Sequence, residues 1–288
     1  MNKISLNQIK SLIDISLDED SYLDDITSKN LIDRDHISNA YIISKSDGIL
    51  CGVDVLELIF KKVDSHIEIG KNFFDGDKIN NSDVVVTLNG SLLSILSAER
   101  TVLNFIQRMT GISTITSKYV NLISDSNSKI YDTRKTLPGH RILDKYAVSI
   151  GGGMNHRINL SDGILIKDTH VDYLKIKGYS IEKIIKKIKS SINSGIRIEI
   201  EVESLEDAVS AAKSNVDIIM LDNMNLDLLK KTIKSIKEIS EDILIEVSGG
   251  ININNIRSIS KTGVDIISIG ALTHSVISHD FSLKYSSN

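Results

Sequence analysis

From about residue 130 onwards the chain alternates short runs of branched apolar residues with amphipathic, lysine-rich segments, and that rhythm leaves few architectures open. Strands read at Ile130–Thr133, Gly163–Ile166, Ile196–Val202, Val216–Leu221, Ile243–Val247 and Val264–Ile269. Helical stretches such as Ile181–Ile192, Asp227–Ile239 and Asn254–Lys261 lie between them. A parallel neighbour strand can be reached only by a crossover, usually a helix, so this alternation builds parallel βα units. The pattern predicts a barrel-like or open α/β sheet.

The first hundred residues read differently. They carry β-type runs at Ala40–Ser44, Ile67–Ile69 and Val84–Leu88, punctuated by Gly48, Gly52, Gly70, Gly76 and Gly90, which predicts a small α+β domain. The stretch Leu92–Ser117 is helical in pattern, with apolar Leu96, Leu103, Ile106 and Ile115, and is placed as the bridge between the two parts. A length of 288 residues exceeds the usual single core, which suits one large or two moderate domains.

Composition narrows the partners. A formal net charge of -4 argues against nucleic acid, whose binding needs a basic face that neutralises many phosphates. The lone cysteine, Cys51, cannot form an internal disulfide, and no set of cysteines suggests zinc, so a reducing, cytoplasmic setting is expected. Residues 1–25 carry charges every few positions without the apolar core of a signal peptide, and no later run reaches membrane-spanning length. No membrane association is expected.

Against that mildly acidic background, Asp132 to Lys167 gathers Arg134, Lys135, Arg141, His156, Arg157 and Lys167 around two glycine-bearing turns, Pro138-Gly139 and Gly151-Gly152-Gly153. In an α/β barrel the functional residues sit at the carboxyl ends of the strands. Arg134 and Lys135 follow the first strand, Lys167 the second, and Arg157 lies between the two. Cations converging on one rim repel one another unless an anion joins them, and arginine grips a carboxylate or phosphate with two parallel hydrogen bonds. A lone histidine is more often a hydrogen-bonded structural residue, but His156 adjoins Arg157 and is counted with the site. Three consecutive glycines exceed what a helix stop requires and fit a sharp turn with a close backbone approach.

The third strand alternates Ile196, Ile198, Ile200 and Val202 with Arg197, Glu199, Glu201 and Glu203. Parallel strands are buried on both sides, so at least one glutamate is expected to point into the barrel mouth. With Asp222 ending the next strand, a carboxylate pair becomes a candidate for Mg²⁺, directly or through water; a charged, solvated strand end is the plain alternative. Ser248-Gly249-Gly250 and Gly270, after the last two strands, match a barrel phosphate site in which backbone N–H groups and a helix N-terminus reach the anion.

These blocks together resemble the quinolinate phosphoribosyltransferases, over nearly the whole chain. The matching segments are Glu99-Arg100-Thr101 with Asn104 and Gln107, Asp132 to Thr136 with Pro138-Gly139, Lys145 to Val148 leading into Gly151 to Arg157, and Leu165 to Asp168. Glu199 to Glu203, Leu221 to Met224, Ser248 to Ile251 and Gly270 to Ser275 complete them. The resemblance implies an incomplete α/β (TIM-like) barrel over residues 111–271 and a smaller N-terminal α+β sandwich domain over 1–110, with the tail 272–288 packing back on the latter. It implies joining of quinolinate to phosphoribosyl pyrophosphate with decarboxylation, giving nicotinate mononucleotide, with Mg²⁺ as cofactor. It places Arg134, His156, Arg157 and Lys167 around quinolinate, with Lys135 beside them and reaching towards donor phosphate. Glu201 and Asp222 would hold metal and ribose hydroxyls, and Ser248, Gly249, Gly250 and Gly270 the 5′-phosphate. Lys135, Lys167, Glu201 and Asp222 are the catalytic set. Arg100 matches an arginine that enters the neighbouring subunit's active site, which implies a homo-oligomer, at least a dimer. One departure is Thr169, where the family commonly has asparagine. Three rivals are a molybdenum-transport-associated relative, which lacks a lysine at the Lys167 position, a nicotinate-specific transferase, and a non-catalytic barrel that binds an anionic metabolite.

Overall fold

The computed structural model describes residues 6–192 and 195–286. In chain order, the first part comprises α1 (Leu6–Glu19), α2 (Ile26–Leu31), β1 (Ile37–Ser44), β2 (Gly48–Ile49), α3 (Val53–Val63), β3 (Glu68–Lys71), β4 (Lys78–Ile79), β5 (Val84–Ser91) and the long α4 (Leu92–Leu122). The rest comprises β6 (Lys129–Tyr131), α5 (Arg141–Ile150), β7 (Ile164–Ile166), α6 (Asp168–Ile176), α7 (Ile181–Lys189), β8 (Ile198–Val202), α8 (Leu205–Lys213), β9 (Ile218–Asp222), α9 (Leu226–Ile239), β10 (Leu244–Ser248), α10 (Ile256–Ser260), β11 (Ile266–Ser268), α11 (Ala271–His274) and β12 (Phe281–Ser286).

Internal contacts divide the chain into two compact units: Met1–Lys118 with Lys135–Gly153 and Ala271–Asn288, and Tyr119–Arg134 with Met154–Gly270. The boundary expected at residues 110 and 111 lies inside α4, and Lys135–Gly153, expected with the barrel, groups with the first unit. Residues 1–5 and 287–288 of the expected spans lie outside the described residues.

The first unit is organised by an antiparallel sheet ordered β12-β1-β5-β3. Along β1, Ser38, Ala40, Ile42 and Ser44 are buried while their neighbours are more exposed, the period-two pattern of a strand with one face on a core. The chain's last strand pairs with β1, in register from Asn39 opposite Ser286 to Ser44 opposite Phe281. The α3 helix starts at Gly52, whose φ of +109° suits glycine, and Oδ1 of Asp75 accepts the Gly52 and Val53 amides at 2.8 and 2.9 Å. Tyr146 on α5 donates its hydroxyl to Oδ2 of the same carboxylate at 2.8 Å, so one half-buried acid caps a helix and holds a second. After α5, Gly151 lies so close to α4 that a Cβ there would overlap the Ser113 carbonyl, and Gly152 takes φ +88°. Close approach and turn, both expected of the glycine triplet, are met by different members of it.

The second unit contains a six-stranded, all-parallel sheet ordered β6-β11-β10-β9-β8-β7. All six strands expected after residue 130 are present. The two end strands, β6 and β7, do not pair with each other, so the ladder stays open and the barrel is incomplete. Ile200, Ile219, Leu221, Ile245 and Ile267 are fully buried, which is why these strands read as near-continuous apolar runs. The flanking helices begin on capping side chains: Ser180, Ser204 and Asn225 accept from the amides of Lys183, Asp207 and Leu228. Each such cap contributes about 1 kcal/mol. In α7 the buried Ile181, Ile184 and Ile185 oppose the exposed Lys183, Lys186 and Lys187, so the helix has only one way to lie on the sheet. No helix among the described residues is long and apolar enough to cross a membrane.

Candidate active site

The parallel register brings every strand's carboxyl end to one edge. Ser248 stands opposite Asp222, Val202 opposite Leu221, and Ser268 opposite Tyr131. Beyond β6 the chain adds a device of its own: Met154 forms a parallel bridge with Tyr131, its amide donating to the Ile130 carbonyl at 2.7 Å, while the Asp132 amide donates to the Met154 carbonyl at 3.0 Å. The segment bearing His156 and Arg157 is thereby laid beside the strand end bearing Arg134.

Arg134, Arg157 and Lys167 all line one open cavity of about 650 Å³, bordered elsewhere by Leu160, β7, Thr169, His170 and side chains of α6 and α7, Lys187 among them. Nε of Arg134 is buried and has no hydrogen-bond partner among the described residues. Burial, and then the neighbouring Arg134 charge, pushes the Arg157 pKa below its ordinary value. A guanidinium N–H without an acceptor, next to a second guanidinium, is a site arranged for an anion from outside the protein. Lys167 sits at the N-cap of α6, where its amide donates to Nδ1 of His170 at 2.9 Å. His156 is not part of this wall: its Nε2 faces Glu199 at 3.1 Å and Glu246 at 3.5 Å.

The next strand ends are acidic. Glu201 is half-buried, and burial, followed by the carboxylates of Asp222 and Asp168, raises its pKa, with Lys167 pulling the other way. Glu199 and Glu201 on β8 are buried and half-buried, and Glu203 just past its end is exposed, so burial falls along one face of the strand towards the carboxyl edge. Asp222 accepts from the Asn223 side chain at 2.7 Å. Two carboxylates held together against their own repulsion fit a hard divalent cation, which takes oxygen ligands.

Beyond them, the turn after β10 has Gly249 at φ +85° and Gly250 at φ +62°, a backbone that L side chains rarely adopt. A Cβ on Gly249 would overlap the Asn223 carboxamide. Gly270 directly follows β11 and its extension at Ile269. Two expected site residues belong to the other unit. Lys135 is exposed, and its carbonyl accepts the Thr273 hydroxyl at 3.0 Å. Arg100 is exposed on α4 and lines a separate cavity of about 440 Å³ together with Arg108 and His140.

Residues 112–284 match the family described as quinolinate phosphoribosyl transferase, C-terminal domain, and residues 25–110 the corresponding N-terminal domain. The chain belongs to the quinolinate phosphoribosyltransferase family. It is 38% identical, over 96% of its length and 93% of the other's, to a Bacillus subtilis protein named "probable nicotinate-nucleotide pyrophosphorylase (carboxylating)". It is 36% identical to the Nicotiana tabacum protein named quinolinate phosphoribosyltransferase (decarboxylating) 2b, mitochondrial, covering 96% of this chain and 82% of that one. The solved structure of the nicotinate-nucleotide pyrophosphorylase from Francisella tularensis superposes with a TM-score of 0.90 at 38% identity, covering 99% of this chain and 98% of that one.

Within this quinolinate phosphoribosyltransferase fold, sequence reasoning missed the residues behind the cation wall. Asp132 is fully buried, and its Oδ1 accepts the His156 amide at 2.8 Å. Glu246 is wholly enclosed in the middle of β10. The signal was there: one glutamate inside the apolar run Ile243–Val247 of a strand covered on both faces must have a polar reason.

Proposed function

We infer that this chain transfers the phosphoribosyl group of phosphoribosyl pyrophosphate to the ring nitrogen of quinolinate and releases nicotinate mononucleotide, pyrophosphate and carbon dioxide, a step in making NAD. The observation that carries this reading is the Arg134 Nε, without a hydrogen-bond partner among the described residues, beside Arg157 and Lys167 on one cavity wall, because a molecule with two adjacent carboxylates satisfies that arrangement.

The chemistry needed from the protein is positional and electrostatic. With the carboxylates held by Arg134, Arg157 and Lys167, the pyridine nitrogen faces the anomeric carbon. A nitrogen–carbon bond forms as the carbon–oxygen bond to pyrophosphate breaks, and positive character builds on the sugar. The ring nitrogen is then cationic. Electrons of the bond to the adjacent carboxylate stay on the ring carbon as carbon dioxide leaves, and that carbon takes a proton from solvent. No side chain has to act as general base.

Glu201 and Asp222 would hold Mg²⁺, directly or through its waters, and the raised pKa of Glu201 beside Asp222 and Asp168 supports that fit. Bound there, the ion would neutralise charge on the pyrophosphate. Lys135 is assigned to donor phosphate, and Ser248, Gly249, Gly250 and Gly270 to the 5′-phosphate. We assign His156 to the quinolinate site through its neighbour Arg157, and Arg100 to the active site of a second copy of the chain, which makes the working form at least a dimer. A cytoplasmic setting suits the buried lone thiol of Cys51.

A turnover assay with phosphoribosyl pyrophosphate and Mg²⁺, offering quinolinate or nicotinate in parallel, tests the reading. Equal yields of mononucleotide and carbon dioxide from quinolinate alone are expected. Product from nicotinate, or none from either, rejects it.

A further inference from the structure

Behind the cation wall the parallel sheet encloses two glutamates with no place in the chemistry above. Glu199 on β8 and Glu246 on β10 are 5% and 0% exposed, and their carboxylates approach Nε2 of His156 to 3.1 and 3.5 Å. Neither oxygen of Glu246 has a hydrogen-bond partner among the described residues. Two buried carboxylates against one imidazole ask for a cation, and the three donor atoms lie within 4.8 Å of one another, close enough to share a metal ion.

The other ring nitrogen decides against a metal. The Arg157 amide donates to Nδ1 at 2.9 Å, so Nδ1 carries a lone pair and the ring's proton is on Nε2. A protonated Nε2 cannot ligate; filling both positions would require an imidazolate. Burial disfavours charge on the ring, and the carboxylates of Glu199 and Glu246 favour it. An imidazolium would have to give up the Arg157 amide, so the carboxylates and the amide compete for the ring's charge, and the donated amide marks the neutral Nε2–H form in this structure. From there the contacts run outward to the substrate wall. His156 also donates its own amide to Asp132, two residues before Arg134.

We propose that Glu199 and Glu246 are positioning residues for the quinolinate site: Glu199 by accepting from Nε2–H and Glu246 by facing it with its charge, they orient the His156 ring so that Nδ1 receives the Arg157 amide, which sets the spacing between the Arg157 and Arg134 guanidiniums. The proposal rests on quinolinate as substrate. A dicarboxylate with two adjacent anionic groups is sensitive to that spacing, whereas the phosphoribosyl donor is not.

The test pairs Glu246→Met, of similar volume but without an oxygen, with Glu246→Gln, whose carbonyl oxygen keeps a negative dipole facing Nε2–H. The expected result is a KM for quinolinate about tenfold higher in Glu246→Met, roughly the loss that removing a supporting partner produces at other sites. The KM for phosphoribosyl pyrophosphate and kcat should change less than about twofold, and Glu246→Gln should return within about threefold of the parent. A parental quinolinate KM in Glu246→Met, or an equal rise for both substrates, overturns the proposal. Should Glu246→Met not fold, ¹⁵N spectra of the His156 ring in the ligand-free parent protein decide instead: an Nε2–H tautomer supports it, and an Nδ1–H tautomer or an imidazolium overturns it. Stoichiometric zinc or manganese in the purified parent protein, lost in Glu246→Gln, also overturns it, in favour of a metal site. The spectra need no substrate, so a protein inactive on quinolinate would sink the functional reading while leaving the tautomer to be judged separately.

Discussion

At the carboxyl edge of the parallel sheet, like charges stand together: Arg157 beside Arg134, and Glu201 beside Asp222 and Asp168. In the helices covering the same sheet, charges meet groups that satisfy them. Lys175 on α6 reaches both oxygens of Asp207 on α8 at 2.9 and 2.8 Å, and Glu182 on α7 accepts the Ser210 hydroxyl. Repulsion at the edge is stability forgone, and it is recovered only when ligands of the opposite sign arrive. The edge should therefore lose activity without losing fold on mutation, and the helical layer the reverse.

The largest break in that contrast would come from Arg157→Ala or Arg134→Ala. Removing one partner of a desolvated charge contact costs on the order of 2–5 kcal/mol. We expect kcat/KM for quinolinate to fall by about a thousandfold, since about 1.4 kcal/mol is a factor of ten. The melting temperature should hold or rise slightly as the guanidinium repulsion is relieved. Steady-state kinetics and calorimetry on one preparation read both; a destabilised protein with an unchanged quinolinate KM would remove the cations from the site.

Glu201→Gln sharpens the acidic half of the edge. Its carboxylate is raised first by burial and then by Asp222 and Asp168, so a neutral isostere should raise the melting temperature at neutral pH. Activity should fall about a hundredfold, the scale on which single electrostatic contacts act. Calorimetric titration with Mg²⁺ in the presence of the phosphoribosyl donor should show weakened binding. Undiminished Mg²⁺ affinity would move the ion elsewhere.

Gly249→Ala probes backbone rather than charge. At φ +85°, a non-glycine residue costs roughly 1–3 kcal/mol, and its Cβ would displace Asn223 as well. The expectation is a several-fold higher KM for phosphoribosyl pyrophosphate with little change for quinolinate. A shift confined to quinolinate would take this turn away from the phosphate.

Much of this arrangement is legible in the sequence because it depends on short-range period. The six strands follow from apolar runs of strand length, and the edge residues follow from what comes after each run. Strand limits were less accessible. The first strand reads to Thr133 but ends at Tyr131, because Asp132 turns inward to accept the His156 amide. The third reads from Ile196 but begins at Ile198, since Ile196 and Arg197 are exposed ahead of the covered sheet. What no local pattern reveals is which side chains meet across strands. Glu246 lies about ninety residues from His156 in the chain, and the bridge from Met154 to Tyr131 crosses a helix and a glycine turn. The compact grouping of Lys135–Gly153 with the N-terminal unit is likewise a matter of long-range packing.

The smallest expected effect lies in the helical layer, and its sign distinguishes the two regions. The Ser210 hydroxyl, then that of Ser180 and the residue's own amide, hold the Glu182 carboxyl down at about 2. A carboxyl with a folded pKa below its unfolded value near 4.3 stabilises the fold above that value, and the contribution is lost as pH falls towards 2. Glu182 is largely exposed, so solvent screening reduces the effect to tenths of a kcal/mol. Urea unfolding of Glu182→Gln should thus show a slight loss against the parent at pH 7 and none near pH 2, with kinetics unchanged. The edge residue Glu201 has the opposite pKa shift, so its neutral variant should gain stability at pH 7 and lose that gain in acid. Finding the same sign for both variants would mean that edge and layer do not differ in how their charges are satisfied, and the contrast between them would fail.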